Sequence, residues 1–446
     1  ARYAASTKAV IRITTKKILG DGFGFDASTT GEYDEKKNFG GFGQLNMNYR
    51  KNGLDLGAYA FGAKQYQPYN QDLQQKTYLD KTWIQKSKNR QVGMVEAMNF
   101  RLDASYQLDA NNSIGANFGF LRNPKQTCDA NMTTSIWQDD EQTETSDSHA
   151  NFFKQKSTLS SNVYYVGKIG KLGIDFNTDW LWSKNNEDVV TKEQYQEVGM
   201  DAQSQTVHSL TDKKYRLLAS RLVLSYPLLG GELSLGGEYS NTHRTSKYQV
   251  VPTNFVSDDD SRITESMASS FLAYSRDFGN VSMEAGLRYE YIDFNYYEYG
   301  KYVPGQSKSY GNWFPSLSLS MPVGKVQMQL SYATDIDRPS YHYLRSGIQY
   351  DNRYTYETGN PFLVSEISKN LNYELAYKWL TFDMTYSHTS HTMMSNVETY
   401  KDNPAIGLLK PVNGKAYNHV DAPINLRPSF GIWYPSFTAS VVKQWL

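Results

Sequence analysis

A single cysteine, Cys128, stands in a chain of 446 residues, so no internal disulfide can form and cysteine-based zinc or iron–sulfur sites are excluded. Charge of one sign is also lacking in excess. The 46 basic side chains meet 46 acidic ones, which removes the basic surplus expected of a nucleic-acid-binding surface. No run approaches the ~18–20 apolar residues that a membrane-spanning helix requires. The first ten residues lack the apolar core of a signal peptide. Phosphate-cradling glycine loops, the HExxH pattern and Ser/His/Asp arrangements are missing too. The sequence therefore indicates no catalytic residue, no cofactor and no enzyme.

Aromatic residues, by contrast, are abundant: 35 Tyr, 20 Phe and 8 Trp. Tyr and Trp suit membrane–water boundaries, where an apolar ring meets a polar tip. Composition alone leaves a Tyr-rich soluble β-protein equally open. The mean hydropathy of −0.62 would favour it, but a barrel strand facing lipid needs only every second residue apolar, and its lumen face cancels the average.

Strict alternation decides between the two. Val281, Met283, Ala285, Leu287, Tyr289 and Tyr291 share one face, and Ser282, Glu284, Gly286, Arg288 and Glu290 the other. Leu371, Tyr373, Leu375, Tyr377 and Trp379 oppose Asn372, Glu374, Ala376 and Lys378 in the same way. Phe100, Leu102, Ala104 and Tyr106 oppose Arg101, Asp103 and Ser105. Side chains of a strand point alternately to opposite faces, so each stretch is a strand with one apolar side. Short turns, among them Lys51-Asn52-Gly53, Leu228 to Gly231 and Phe278-Gly279-Asn280, alternate with long polar excursions such as 122–158, 184–214, 335–368 and 389–417. An outer-membrane barrel has this rhythm, with tight periplasmic turns at one rim and long external loops at the other. The fold class predicted is all-β, a transmembrane antiparallel barrel with about seventeen strands present.

Several stretches resemble the TonB-dependent receptor family, in its branch other than SusC. Residues 1–17 are similar to the end of that family's plug domain, with Arg12 where the pattern usually has Asn. Ala285-Gly286-Leu287-Arg288-Tyr289-Glu290 resembles its "GLRYE" strand, and Phe314-Pro315-Ser316-Leu317-Ser318-Leu319 its "FPS-x-SL" strand. Asp337-Arg338-Pro339-Ser340-Tyr341, then Gly359-Asn360-Pro361-Phe362-Leu363 and Glu366, is similar to "RPSY … GNP-x-L-x-x-E". The resemblance implies a barrel of roughly twenty-two strands around a plug. By that comparison residues 1–19 are the plug's end and its link, 20–446 are the barrel, and the last strands and most of the plug are missing. It also implies a TonB-type energy-coupling partner acting through the missing plug. Long loops leave room for a surface lipoprotein.

Charged residues whose strand-mates face lipid must face the lumen, which makes Arg101, Asp103, Glu284, Arg288, Glu290, Glu374 and Lys378 the lumen-facing candidates. In a filled barrel they pair with one another or with the plug. Trp180, Trp182, Tyr226, Tyr291, Trp313, Trp379 and Trp433, near strand ends, are the candidates for the aromatic girdles. The Tyr-rich run from Tyr289 to Tyr299 is expected to rise past the outer rim. Asp258-Asp259-Asp260 and Asp139-Asp140-Glu141 read as solvated charge runs, without the spacing of a calcium loop. His388 and His391 fall on opposite strand faces, so no metal site is indicated. The function expected is uptake of an unidentified solute across the bacterial outer membrane. The alternatives are a scaffold barrel of an assembly or secretion complex, and a passive pore.

Overall fold

The computed structural model describes residues 20–446 apart from Lys36, Leu79, Asp80 and Asp402, with only the backbone of Pro404 and Ala405. The stretch read as the plug's end, residues 1–19, lies outside the described residues. In chain order the strands are β1 (Gly22–Tyr33), β2 (Phe39–Lys51), β3 (Leu54–Tyr78), β4 (Thr82–Gln107), β5 (Ser113–Gln138), β6 (Glu141–Ile169), β7 (Leu172–Glu197) and β8 (Gln203–Leu228). They continue with β9 (Gly231–Val251), β10 (Asp259–Phe278), β11 (Val281–Glu298), β12 (Lys301–Tyr302), β13 (Lys308–Val323), β14 (Val326–Asp337), β15 (Ile348–Asn352) and β16 (Thr355–Thr358). The last are β17 (Glu366–Tyr377), β18 (Leu380–Ser390), β19 (Met393–Tyr400), β20 (Asn403–Asn413), β21 (Tyr417–Leu426) and β22 (Phe437–Trp445).

Neighbours in sequence pair antiparallel, giving an 18-stranded sheet in which the two-residue β12 pairs only with the top of β11. Seventeen strands thus form the wall, as the alternation predicts. Among the described residues its end strands, β1 and β22, each pair on one side only. The strand pairs are joined at one rim by tight turns. At Asn52-Gly53 both residues take positive φ, 51° and 82°, the mirror-image turn whose twist matches that of the flanking strands. Leu229-Gly230 repeats the device, with φ of 50° and 74°.

Five of the long polar excursions are not loops but continuations of the ladder. β5 and β6 stay paired from Ser113↔Val166 to Gln138↔Glu141, and β7 and β8 from Gly173↔Ser225 to Tyr195↔Gln203. Strands of 26 residues, such as β7, are on the order of 85 Å long at ~3.3 Å per residue, whereas crossing a bilayer takes only about 9–11. More than half of each tall strand stands outside the membrane. Water then wets its outer face, and an apolar stripe is no longer needed. A bulge at 123–126 absorbs Pro124, which cannot donate to a ladder, and switches which parity of β5 faces outward.

The other two excursions fold into the lumen. β15, β16, β20 and β19 make a separate four-stranded sheet, in which β16 and β20 run parallel. It packs on the inner face of the wall, and the hydrophobic core forms there. Tyr350 and Tyr356 of the inner sheet meet Val207, Tyr248 and Val250 of β8 and β9. Leu344 and Leu363 meet Ile263, Ile292, Phe294 and Tyr296 of β10 and β11. The opposite face of the wall, close to the short turns, bears Leu102, Leu222, Leu235, Leu272, Leu287 and Leu330, all exposed as a lipid-facing band requires.

Candidate functional site: the lumen and its inner sheet

Two sequence motifs converge on the inner wall. Arg288 and Glu290, two apart on β11, point to the same side and are each 1% exposed. Arg288 Nε donates to Glu290, and its Nη2 donates to Glu238 of β9 at 3.0 Å. Arg338, just beyond the end of β14, donates to the other Glu290 oxygen. The chain leaves its ladder at Asp337, so Arg338 turns inward to reach a carboxylate 48 residues away. A buried carboxylate is tolerable only when so paired.

From this anchor the segment between β14 and β17 crosses the lumen. Tyr341 donates to Glu265 of β10 at 3.0 Å, and Tyr296 of β11 bonds Ser346 at 2.8 Å. His342 and Arg345 both hold Glu357, at 2.9 and 3.2 Å, and the His342 bond keeps that carboxyl below its ordinary range. At the far side Tyr350 donates to Glu193 of β7, and the Arg353 backbone N–H donates to the same carboxylate at 3.0 Å. Arg353 Nε and Tyr354 Oη both donate to Glu144 of β6, at 2.8 and 2.9 Å. The Arg353 guanidinium also stacks 3.6 Å from the Tyr195 ring. Contacts from β11 round to β6 are possible only because the wall is curved into a barrel.

The Gly359-Asn360-Pro361 motif shapes this crossing. A Cβ on Gly359 would come within 2.4 Å of the Arg345 carbonyl oxygen, so only glycine lets the two backbones touch. Asn360 accepts from the Phe362 N–H at 3.1 Å and donates to the Pro411 carbonyl at 3.1 Å, clamping the β19–β20 hairpin to the crossing segment. Leu363 is fully buried.

Between the crossing and the wall lies a chamber of about 240 Å³, lined by Asn89, Gln91, Glu187, Lys213, Tyr248 and Asp351 among others. Asp351 is among the residues that line this chamber. Enclosure, with the Glu357 and Glu187 charges, pushes its carboxyl up to about 7. Burial pushes Asp259, at the outer tip of β10, up to about 6.

The remaining candidates are placed as follows. Arg101 and Asp103 pair with each other at 2.8 Å, well exposed, lower on the inner face. Glu284 and Glu374 are exposed, each on the face away from its leucines. Lys378 is a correction: β17 ends at Tyr377, and Lys378 takes φ 43° in the turn to β18, so it lines no lumen. A two-residue turn preserves the apparent alternation on either side of it. Asp259 is a second correction, since it is buried rather than part of a solvated run. Tyr296, from the Tyr-rich stretch, is buried inside and does not stand free above the rim.

The aromatic candidates fall at two heights along the wall, with Trp433 in the connection between β21 and β22. Tyr226, Trp379 and Trp433 sit at or beside the short-turn rim, whereas Trp180, Trp182, Tyr291 and Trp313 lie about 8–10 residues up the strands. Tyr289 and Trp313 are cross-strand partners, with rings 4.7 Å apart.

Sequence reading missed Glu144, Glu193, Tyr350, Arg353 and Tyr354. Their one visible signal is the run from Tyr350 to Glu357, too rich in tyrosine for a loop exposed only to water.

An antiparallel wall with a greasy outer band, and a lumen filled by its own polar connections, defines a transmembrane β-barrel. The chain belongs to the outer membrane protein β-barrel family, whose model matches residues 167–442, and is a bacterial outer-membrane protein. No curated protein sequence matches it. Similar solved structures include the siderophore receptor PirA from Pseudomonas aeruginosa, at 13% identity and a TM-score of 0.56, covering 94% of this chain and 66% of that one. The Serratia marcescens hemophore receptor HasR, in complex with its hemophore HasA and heme, matches at 13% identity and 0.53, covering 94% and 63%. The copper transporter OprC matches at 10% identity and 0.57, covering 98% and 63%. At these identities the likeness is one of fold alone. The chain spans less than two thirds of the length of each of these structures.

Proposed function

We propose that this chain is the barrel of an outer-membrane transporter of the TonB-dependent receptor type, which takes up a solute through its lumen. The observation that carries this reading is the crossing segment. It runs from β14 across to β6, over a small chamber lined by both polar and apolar side chains. A lumen crossed by the chain's own connections does not suit a passive pore, which needs an open water path. The face below the crossing, with Arg101, Asp103, Glu284 and Glu374 exposed, suits a plug packed against it, and such a plug would carry the contact to an energy-coupling protein. The similar structures, two receptors and a transporter, support the same class.

The test is uptake by the complete gene product in a strain deleted for it, across a panel of metal chelates, vitamins, glycans and peptides. Energy-dependent uptake of one member is expected, abolished when the inner-membrane energy-coupling complex is removed. Wild-type growth and uptake on every solute, with or without the gene, would argue for a scaffold. Large steady single-channel conductance would argue for a pore.

A further inference from the structure

Between its two anchored ends, the crossing brings a third set of charges to the wall. Arg345, 8% exposed, shares a cleft with Lys213 of β8 and Arg244 of β9, lined also by Ser246 and His342. Lys213 is the register partner of Ser246, and Arg244 that of Tyr215, two residues along β8. Both cations therefore rise from the inner face of adjacent strands and meet Arg345 coming from the lumen side.

The protein supplies these three cations with little counter-charge. His342 accepts from Arg345 Nη1 at 2.6 Å on Nδ1 and donates through Nε2 to Glu357 at 2.9 Å, as a neutral ring does. Glu357 lies 3.2 Å from Arg345 Nη2 but out of line for a hydrogen bond, and Arg345 Nε and Nη2 are buried with no hydrogen-bond partner. Lys213 and Arg244 have no ion-pair partner among the described residues. Glu187, which attracts Lys213 from further off, is held by Lys154 at 2.8 Å. Asp259 and Asp351 act on Arg345 only from beyond ion-pair distance, and burial pushes their carboxyls up to about 6 and about 7. Burial also pushes all three cations below their ordinary values, with mutual repulsion adding to it at Lys213 and Arg244. Buried cations left without a partner are costly, so the cleft calls for an anion.

Size says which kind. The cavity between these side chains is about 10 Å³, room for one water-sized particle. Carboxylates and tetrahedral oxyanions are larger than that. We propose that Lys213, Arg244 and Arg345 bind a monatomic anion, of which chloride is the abundant one, with Arg345 Nε and Nη2 among its donors. The ion ties the middle of the crossing to β8 and β9, as Arg338 and Arg353 tie its ends. Lys213 lines the 240 Å³ chamber as well as the cleft, and the chamber is the ion's way in.

Filling of the cleft is independent of any transported solute, so the test uses the full chain in dodecyl maltoside with salts alone. Hydrogen exchange of residues 340–350 is followed at constant ionic strength as sodium gluconate is replaced by sodium chloride or by sodium sulfate. Protection is expected to rise about tenfold for each tenfold of chloride above the dissociation constant, and to stay flat in sulfate. Arg244→Gln should move the rise to about tenfold higher chloride, the loss expected of one hydrogen bond to a charged group. Lys247→Gln should leave it unchanged, because Lys247 is on the outward face of β9, paired with Asp260 at 3.0 Å. Lys213→Gln, with the same expected shift as Arg244→Gln, stands in if that variant does not fold. Crystals soaked in sodium bromide should show an anomalous peak between the three cations. Three results overturn the assignment: protection that is flat in chloride or rises equally in sulfate; a bromide soak with no peak in the cleft; or parental chloride dependence in a folded Arg244→Gln or Lys213→Gln.

Discussion

Arg353 Nε lies 2.8 Å from Glu144 Oε1, joining residues 209 apart in sequence. The bond ties the segment between β14 and β17 to β6, on the far side of the lumen, and the Tyr354 hydroxyl shares the carboxylate. Together with Arg338 on Glu290, it holds the crossing at both ends.

Removing the far tie should therefore loosen one end only. A hydrogen bond to a charged group contributes about 1.5–3 kcal/mol, so Arg353→Ala should cost the local closed state about 2 kcal/mol. Hydrogen exchange should then show the amides of residues 348–358 losing about 30-fold in protection, while those of β11 keep theirs. Uniform loss across both would mean that the crossing is not an independently held unit.

How much of this was legible in the sequence depended on the environment of each strand. Where lipid wets one side, as from Val281 to Tyr291, period two is enforced at every residue and the strand is plain. Above the membrane, in the upper half of β6 from Glu141 to Phe153, water wets the outside and a polar inner sheet covers the inside. Neither face then demands apolar residues, and a paired strand reads as a loop. Lys378 was misplaced because a tight turn leaves the alternation on either side looking unbroken. Arg338 carried no local sign of its role. Its partner is 48 residues away, and only the chain's inward turn after Asp337 brings them together.

The near anchor should be the costlier to break. Glu290→Ala would leave Arg288 buried with Glu238 alone and deprive Arg338 of its partner. Stranding a buried charge in this way typically costs about 3–5 kcal/mol. Urea unfolding followed by tryptophan fluorescence should show a large drop in midpoint for Glu290→Ala and a smaller one for Glu290→Gln, which keeps the shape and part of the hydrogen bonding. A parental midpoint for Glu290→Gln would show that shape, not charge, is what matters there.

Asp259 makes the crossing sensitive to pH. Gly347 of the crossing packs on this carboxyl, one of whose buried oxygens has no hydrogen-bond partner. Burial holds its pKa at about 6, above the ordinary 3.8. A raised folded-state pKa means that the folded state prefers the protonated form. Its contribution is fully present below pH ~3.8 and is lost as pH rises through about 6, up to about 3 kcal/mol in all. Protection of residues 340–350 in hydrogen exchange, corrected for intrinsic rates, should fall between pH 4 and 7. In Asp259→Asn that fall should be smaller, with greater protection than the parent at pH 7. The same slope in both proteins would place the sensitivity elsewhere, with Asp351 next to be tested.

The two faces of β11 give the sharpest check on how the wall sits in the membrane. Leu287 and Glu284 are three apart and point to opposite sides, yet both are solvent-accessible in the isolated chain, so exposure alone cannot tell lipid from lumen. The tier of Trp313 and the partner Leu272 place Leu287 within the apolar band. An arginine there must carry its charge into acyl chains, which costs about 2–4 kcal/mol near the midplane. Glu284→Arg puts the same charge into the wet interior, where the cost should be well under 1 kcal/mol. Folding into phosphatidylcholine vesicles, followed by urea titration, should show Leu287→Arg destabilised by that larger amount and Glu284→Arg near the parent. The opposite order would turn the wall inside out, leaving Arg288 and Glu290 in lipid, where their burial beside Arg338 would have no explanation.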